Sequence, residues 1–408
     1  MQRLACLLLV LFIVAQGGVP TEAAMENMLT LQQSIAASDN QFGLNLFKAV
    51  ATKSRKANVL VSPLSIAIAL QMTVNGAVGQ TKAEMLQALK LSDRSLDDIN
   101  NANADLISNL TADQSNQTFD IANALFVQNG IKLQPSMQAA MNKIYQAKVE
   151  NVDFRSHAAV ETINAFVNEA THGKIPTILQ ASNPLMRLVL VNALYFKGKW
   201  VVPFEKSATH DQTFHAASGD TSVPMMHRQG EMAYFEDASM QAVGLPYAGK
   251  RTRMVVILPA SGEEVSAFES NLTVDKLNAA LSHLWDRQGT LAVPKFKIEW
   301  EGGLKGDLES LGMKTPFGAA DFSNLMETNE KLQISEVLHK TFMDFNEEGT
   351  EAAAATAVIV AARAARMPSR PFNMVVDRPF LIALQDVPTG AIIFLGRISN
   401  PKAEASKK

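Results

Sequence analysis

Cysteine is almost missing from this chain. The one residue of that type among 408, Cys6, lies in an apolar N-terminal run, so the rest of the chain has neither a disulfide framework nor a thiol for catalysis or soft-metal binding. After that run, no stretch reaches the roughly 18 uninterrupted apolar residues of a membrane helix. A marked excess of charge of one sign is missing too. Lys and Arg number 37 against 40 Asp and Glu, giving a net charge of -3, which argues against a broad basic surface for nucleic acid or membrane. The common catalytic signatures are absent: no HExxH, no GxSxG elbow and no Walker loop. The seven histidines, His157, His172, His210, His215, His227, His283 and His339, are scattered, and His210 with His215 lacks helical ligand spacing. No enzyme activity, metal or cofactor is expected. What the chain does have is apolar content, 47% against 19% charged, enough for a sizeable core.

The N-terminus begins Met1-Gln2-Arg3, runs apolar from Leu4 to Ala15 and then turns to small residues at Thr21-Glu22-Ala23-Ala24. A basic start, a short apolar core and a small-residue site describe a secretory signal over residues 1–23, with cleavage near Ala23. An exported protein with a single domain over 24–408 is the expectation. Three Asn-x-Thr sequons, at Asn109, Asn116 and Asn271, fit that route and are candidate glycosylation sites. No retention signal of the Lys-Asp-Glu-Leu type closes the chain.

Apolar spacing predicts helices over Asp39–Ala51, Ser65–Met72, Thr81–Leu89 and Val160–Glu169, with Ser62-Pro63 as a helix start. The first half therefore reads as largely helical. From Leu188 the pattern becomes that of strands: Leu188–Tyr195, a run fit for burial on both faces, then Ala242–Tyr247, Arg253–Leu258, Thr290–Trp300, Phe372–Asp386 and Ala391–Arg397. Gly249-Lys250 is a hairpin-turn candidate. The fold class is α+β.

One segment is unusual. Asn346 to Ala357 reads NEEGTEAAAATA, and no charge, glycine or proline interrupts Ala352 to Ala362. As a strand it would carry Thr350, Ala352, Ala354, Thr356, Val358, Val360 and Ala362 on one face, all small or β-branched and none charged, so that face can be buried. An Ala-rich helix is the competing reading. Gly349 and the β-branched run Val358–Val360 weigh against the helix.

Five separated blocks carry a resemblance. They are Asn58-Val-Leu-Val-Ser62-Pro63-Leu64-Ser65-Ile66 with Asn75-Gly76-Ala77 and Gly79-Gln80-Thr81; Thr171-His-Gly173-Lys174-Ile175; Leu190 to Trp200 running on to Phe204, Thr213 and Phe214; Ile334 to Lys340; and Asp377-Arg378-Pro379-Phe380-Leu381. In this order the chain resembles a serpin over essentially its whole mature length.

The resemblance implies a fold of three β-sheets and about nine helices with an exposed reactive-centre loop, here about residues 349–375. It also implies a mechanism. A serine protease attacks the loop and forms an acyl-enzyme, and the cut loop then inserts as a new strand of the main sheet, disabling the protease. The hinge would be Glu348, Gly349, Thr350, Glu351, Ala352, Ala353, Ala354, Ala355 and Thr356. Ser62, Asn192 and His339 match the shutter, and Trp200 the breach. Counting from Gly349 puts the reactive bond at Arg363-Ala364, bait for a trypsin-like protease. Arg366-Met367 is the alternative, with an Arg-x-x-Arg spacing that suits a furin-like convertase, and Arg370 a third choice. The implied molecule is a monomer whose partner is a trypsin-like protease. A serpin that no longer inhibits, serving as carrier, storage protein or chaperone, is the rival expectation.

Overall fold

A computed structural model describes residues 22–112, 117–327, 332–350 and 370–402. The apolar N-terminal run, Asn116, Glu351 to Thr356 of the hinge and the candidate bonds at Arg363-Ala364 and Arg366-Met367 lie outside the described residues.

The helices are α1 (Glu22–Lys53), α2 (Pro63–Val74), α3 (Gly79–Ala88), α4 (Leu96–Thr111), α5 (Pro135–Tyr145), α6 (Ala158–Ala170), α7 (Val265–Asn271), α8 (Val274–Ser282) and α9 (Lys305–Ser310). The strands are β1 (Val59–Val61), β2 (Gln117–Gln128), β3 (Lys148–Val152), β4 (Leu188–Lys199), β5 (His210–Ala216), β6 (Gly219–Glu236), β7 (Met240–Pro246), β8 (Thr252–Pro259), β9 (Trp285–Pro294), β10 (Phe296–Gly303), β11 (Ile334–Asn346), β12 (Gly349–Thr350), β13 (Phe372–Val375), β14 (Phe380–Asp386) and β15 (Ile392–Ile398).

One sheet runs β10-β11-β12-β4-β2-β3. The other strands form a continuous ladder β1-β15-β14-β8-β7-β6-β9-β13, with β5 on β6. The 18-residue strand β6 joins two parts of it: its last residues pair with β7, its start with β5 and its middle with β9. Those two parts and the six-stranded sheet make up the three-sheet architecture.

Local sequence explains the elements that position the site. Ser62 caps α2, its hydroxyl accepting the Ser65 amide, and Pro63 occupies the first helical position. Gly249 and Lys250 both take positive φ in the β7–β8 turn, as a tight hairpin requires. The nearly continuous apolar run of β4 is used on both faces. Leu188, Leu190 and Leu194 join the main core, while Val189, Val191 and Ala193 join a second core with Ile163 and Val167 of α6. Alternation of side chains across a strand makes that division automatic.

Three sequence expectations are corrected. The first half is not simply helical, because β2 and β3 lie in it and pair in parallel. Thr290–Trp300 is two strands, not one: β9 ends at Pro294 and β10 opens at Phe296, with each in a different sheet. Phe372–Asp386 likewise divides into β13 and β14, which pair with β9 and β8 respectively. Pro379, between those two, has no N–H to offer a ladder.

A buried polar chain links α1, α2 and α4. Gln71 Nε2 donates to Asp39 Oδ1 at 2.6 Å, and Asn103 Nδ2 donates to Gln71 Oε1 at 2.6 Å. Burial pushes the Asp39 carboxyl up to about 8, against a smaller opposing effect of the Gln71 hydrogen bond. The folded state thus holds this proton more tightly than the unfolded chain. Its stabilising effect is complete below the ordinary aspartate value of 3.8 and is lost as pH rises through about 8. Asp39→Asn, neutral at every pH, should flatten the loss of thermal stability between pH 5 and pH 9 seen by differential scanning fluorimetry; an unchanged slope would place the alkaline sensitivity elsewhere.

Candidate functional site

The six-stranded sheet is open at one end and closed at the other. Over its closed part, β4 and β11 pair directly and in parallel, from Leu188 beside Ile334 to Leu194 beside Thr341. At the open end β12 lies between them, antiparallel to both: Thr350 sits opposite Phe345 and Gly198, Gly349 opposite Asn346 and Lys199. Two residues have therefore entered a gap that further along does not exist.

Gly349 is required for that entry. Its φ is +150°, and a Cβ there would lie 2.0 Å from the Gly198 carbonyl oxygen. No residue with a side chain fits. Gly198 is constrained in turn, since a Cβ on it would meet the rings of Phe196 and Tyr247 at 2.7 Å. Thr350 is buried, and its hydroxyl lies 2.6 Å from the Tyr247 hydroxyl.

Trp200 organises the open end. Its ring stacks on Tyr247, with centroids 4.3 Å apart, and meets Phe345 edge-on. Its indole Nε1 donates to the Asn346 carbonyl at 2.9 Å and its amide to the Glu348 carbonyl at 3.0 Å. The Phe204 amide donates to the Glu347 carbonyl at 2.8 Å. Two ion pairs grip the side chains of this turn, Lys295–Glu347 at 3.0 Å and Lys206–Glu348. Glu347 is nearly buried, so its lysine matters more than a surface partner would.

The closed part is held by polar groups in the core. His339 Nδ1 lies 2.8 Å from Asn192 Oδ1, and His339 Nε2 accepts the Ser62 amide at 3.0 Å. An Nε2 that accepts must be bare, so the ring proton sits on Nδ1 and is donated to Asn192. Ser65 Oγ donates to the same Asn192 oxygen, while Asn192 Nδ2 donates to the Ser65 carbonyl at 3.0 Å and to Asn123 Oδ1 at 2.7 Å. The Ser62 hydroxyl donates to the Ile393 carbonyl at 2.7 Å. These hydrogen bonds run across β4, β11, β2 and the start of α2.

Ser62, Asn192 and His339, expected to cluster, thus do, and Trp200 stands at the open end with Glu348, Gly349 and Thr350. Ser65, Asn123, Tyr247, Lys206 and Lys295 complete the arrangement and were not picked out from the sequence. Asn123 and Tyr247 lie in strand-forming segments with no motif, and their partners come from distant strands. Arg370 is exposed, with its carbonyl accepting from Arg287 Nε at 2.8 Å just before β13. Asn109 lies within α4, and Asn271 is exposed at the end of α7. Among the described residues no group of three or more His, Cys, Asp or Glu is placed to hold a metal ion.

This geometry can be set beside known proteins. Residues 37–401 match the family model of the serpins, described as serine protease inhibitors. The chain is a serpin. It is 37% identical over 373 residues to an uncharacterized serpin-like protein of Thermococcus kodakarensis, covering 91% of this chain and 87% of that one. It is 35% identical over 388 residues to the leukocyte elastase inhibitor of Sus scrofa, covering 90% and 100%. The crystal structure of human thyroxine-binding globulin in complex with its ligand superposes with a TM-score of 0.83 at 29% identity, covering 91% of this serpin and all of that chain. The serpin fold is therefore shared by a protein named as an elastase inhibitor and one named as a thyroxine-binding globulin.

Two tests follow from the geometry. Gly349→Ala should drive β12 out of the sheet, so the Thr350 amide should exchange its hydrogen much faster than in the parent; retained protection would show that the tight approach to Gly198 can be relaxed. Burial lowers His339 from 6.5 to about 3, so its neutral form stabilises the fold above pH 6.5 and that contribution is lost as pH falls toward 3. His339→Gln should remove much of this acid sensitivity in urea titrations at pH 4 and 7, and equal losses in both proteins would refute the assignment.

Proposed function

We propose that this serpin is an exported inhibitor that traps a trypsin-like serine protease by presenting Arg363-Ala364 and inserting the cut loop between β4 and β11. The observation that carries the reading is the register of β12. Extending that strand from Thr350, opposite Phe345 and Gly198, would set Thr356 between His339 and Asn192 and Val360 beside Leu188, where β4 begins. Thr350, Ala352, Ala354, Thr356, Val358 and Val360 would all face the core. None is charged, so insertion buries no unpaired ion.

The register also supports the choice of bond. Arg363 follows closely on the residue that would reach the far end of β4, so an acyl-linked protease would be carried the length of the sheet. Arg370, whose carbonyl is tied to Arg287 ahead of β13, lies on the fixed side of the loop. The guanidinium of Arg363 suits a pocket with a buried carboxylate. Arg366-Met367 remains the alternative bond, for a convertase-type protease. Glu348, Gly349, Thr350, Glu351, Ala352, Ala353, Ala354, Ala355 and Thr356 act as the hinge, and Ser62, Asn192, His339 and Trp200 as gates with no catalytic part.

A carrier role would not require a chargeless inward face. The gain from insertion is substantial: about ten new ladder hydrogen bonds at about 1 kcal/mol net each, besides the apolar area buried. The segment over residues 1–23 supports export, and of the two described sequons Asn271 is the exposed one.

Incubation with trypsin should give a denaturant-stable band near the summed mass on a gel, and Arg363→Ala should abolish it. A chain that is only clipped would reject inhibition. Loss of the band with Arg366→Ala and not with Arg363→Ala would move the bond.

A further inference from the structure

Beside the open end, on the other ladder, two imidazoles are stacked. His210 opens β5 and His227 lies on β6, which pairs with it antiparallel. Their ring centroids are 4.5 Å apart and their planes differ by 3°. Both Nε2 atoms face one nitrogen: the Gln212 side-chain amide lies 2.9 Å from His210 Nε2 and 3.2 Å from His227 Nε2.

The protonation pattern can be worked out from partners. His210 Nδ1 lies 3.1 Å from the Ala208 carbonyl, which can only accept, so Nδ1 carries the proton and Nε2 is bare. The Gln212 amide has two hydrogens to give. It donates one to each Nε2, and so two imidazole lone pairs converge on one positively polarised group.

We propose that His210 and His227 form a surface site for a divalent transition-metal ion of the zinc class, with the Gln212 amide occupying the metal's place when the site is empty. Imidazole nitrogen is the donor such ions favour, and hard ions such as calcium do not. The Nδ1–H bond from His210 to a backbone carbonyl is the kind of outer contact that orients ligating histidines and raises their basicity. Swinging Gln212 about its side-chain bonds would remove its nitrogen and offer Oε1 as a further ligand, and water would fill the remaining positions. Both histidines lie on paired strands, so the two nitrogens are held without ordering a loop.

The site lies close to the hinge. Ala208, which orients His210, ends the turn Lys206–Ala208, and Lys206 grips Glu348 beside Gly349.

Isothermal titration of the intact protein with zinc chloride tests the proposal, with calcium chloride as the hard-ion control. Expected is one saturable zinc site of micromolar affinity, weakened about tenfold or more by His227→Ala and by His210→Ala, a loss of the size ligand-shell changes produce. Gln212→Glu should tighten binding, because a carboxylate replaces the amide. His215→Ala, which removes the separate His215–Asp220 pair, should leave binding unchanged. Absence of saturable zinc uptake, uptake that survives His227→Ala, or uptake lost with His215→Ala would overturn the assignment.

Discussion

At any one level two strands, β4 and β11, can pair with each other or with a strand between them, but not both, and the proposed insertion depends on that exclusion. Along the closed part of the sheet they are paired in parallel, and His339 donates across the junction to Asn192. At the open end Gly349 and Thr350 have already separated them. A strand added along the whole length would move the two partners to about twice the 4.8 Å spacing of neighbouring strands, which no side-chain hydrogen bond can span. On the proposed mechanism the polar cluster beneath the sheet is therefore a lock that insertion must break, and the ladder bonds gained would outweigh it.

Gly349 and Thr350 show how the open end of the sheet is held. Gly349 enters because it has no Cβ, and Thr350 finds a hydroxyl partner in Tyr247. Lys206 and Lys295 hold Glu348 and Glu347 at the mouth, and Trp200 holds the backbone between them. Two residues thus lie between β4 and β11, and direct pairing of those strands takes over beyond them. Breaking the Lys295–Glu347 pair would leave a nearly buried carboxylate without its cation and raise the energy of the open end as it stands.

Much of this was legible in the sequence where one residue type has one physical use. Ser62-Pro63 marked the start of α2 by capping, Gly249-Lys250 marked a turn by φ, and the apolar run of β4 marked a strand buried on both faces. The alternation of small residues after Gly349 indicated a face fit for burial. What could not be read were contacts between distant strands. Nothing near Tyr247 announces that its hydroxyl meets Thr350, and nothing near Asn123 announces Asn192. Continuous apolar patterns also hid breaks: the run through Pro294 and Phe296 changes sheets, because periodicity records burial and not the sheet that supplies it. The stacked His210 and His227 are a further case, since their spacing along the chain has no ligand pattern and only the β5–β6 register brings them together.

The proposed inhibition requires the native sheet to lie uphill of one with an added strand. Cutting the loop once, without a protease to trap, and measuring the melting temperature of the nicked protein tests this most directly. If about ten ladder bonds form on cleavage, the midpoint should rise by at least about 10 °C. A nicked protein that melts where the intact one does would show that β4 and β11 never part, and would contradict the account.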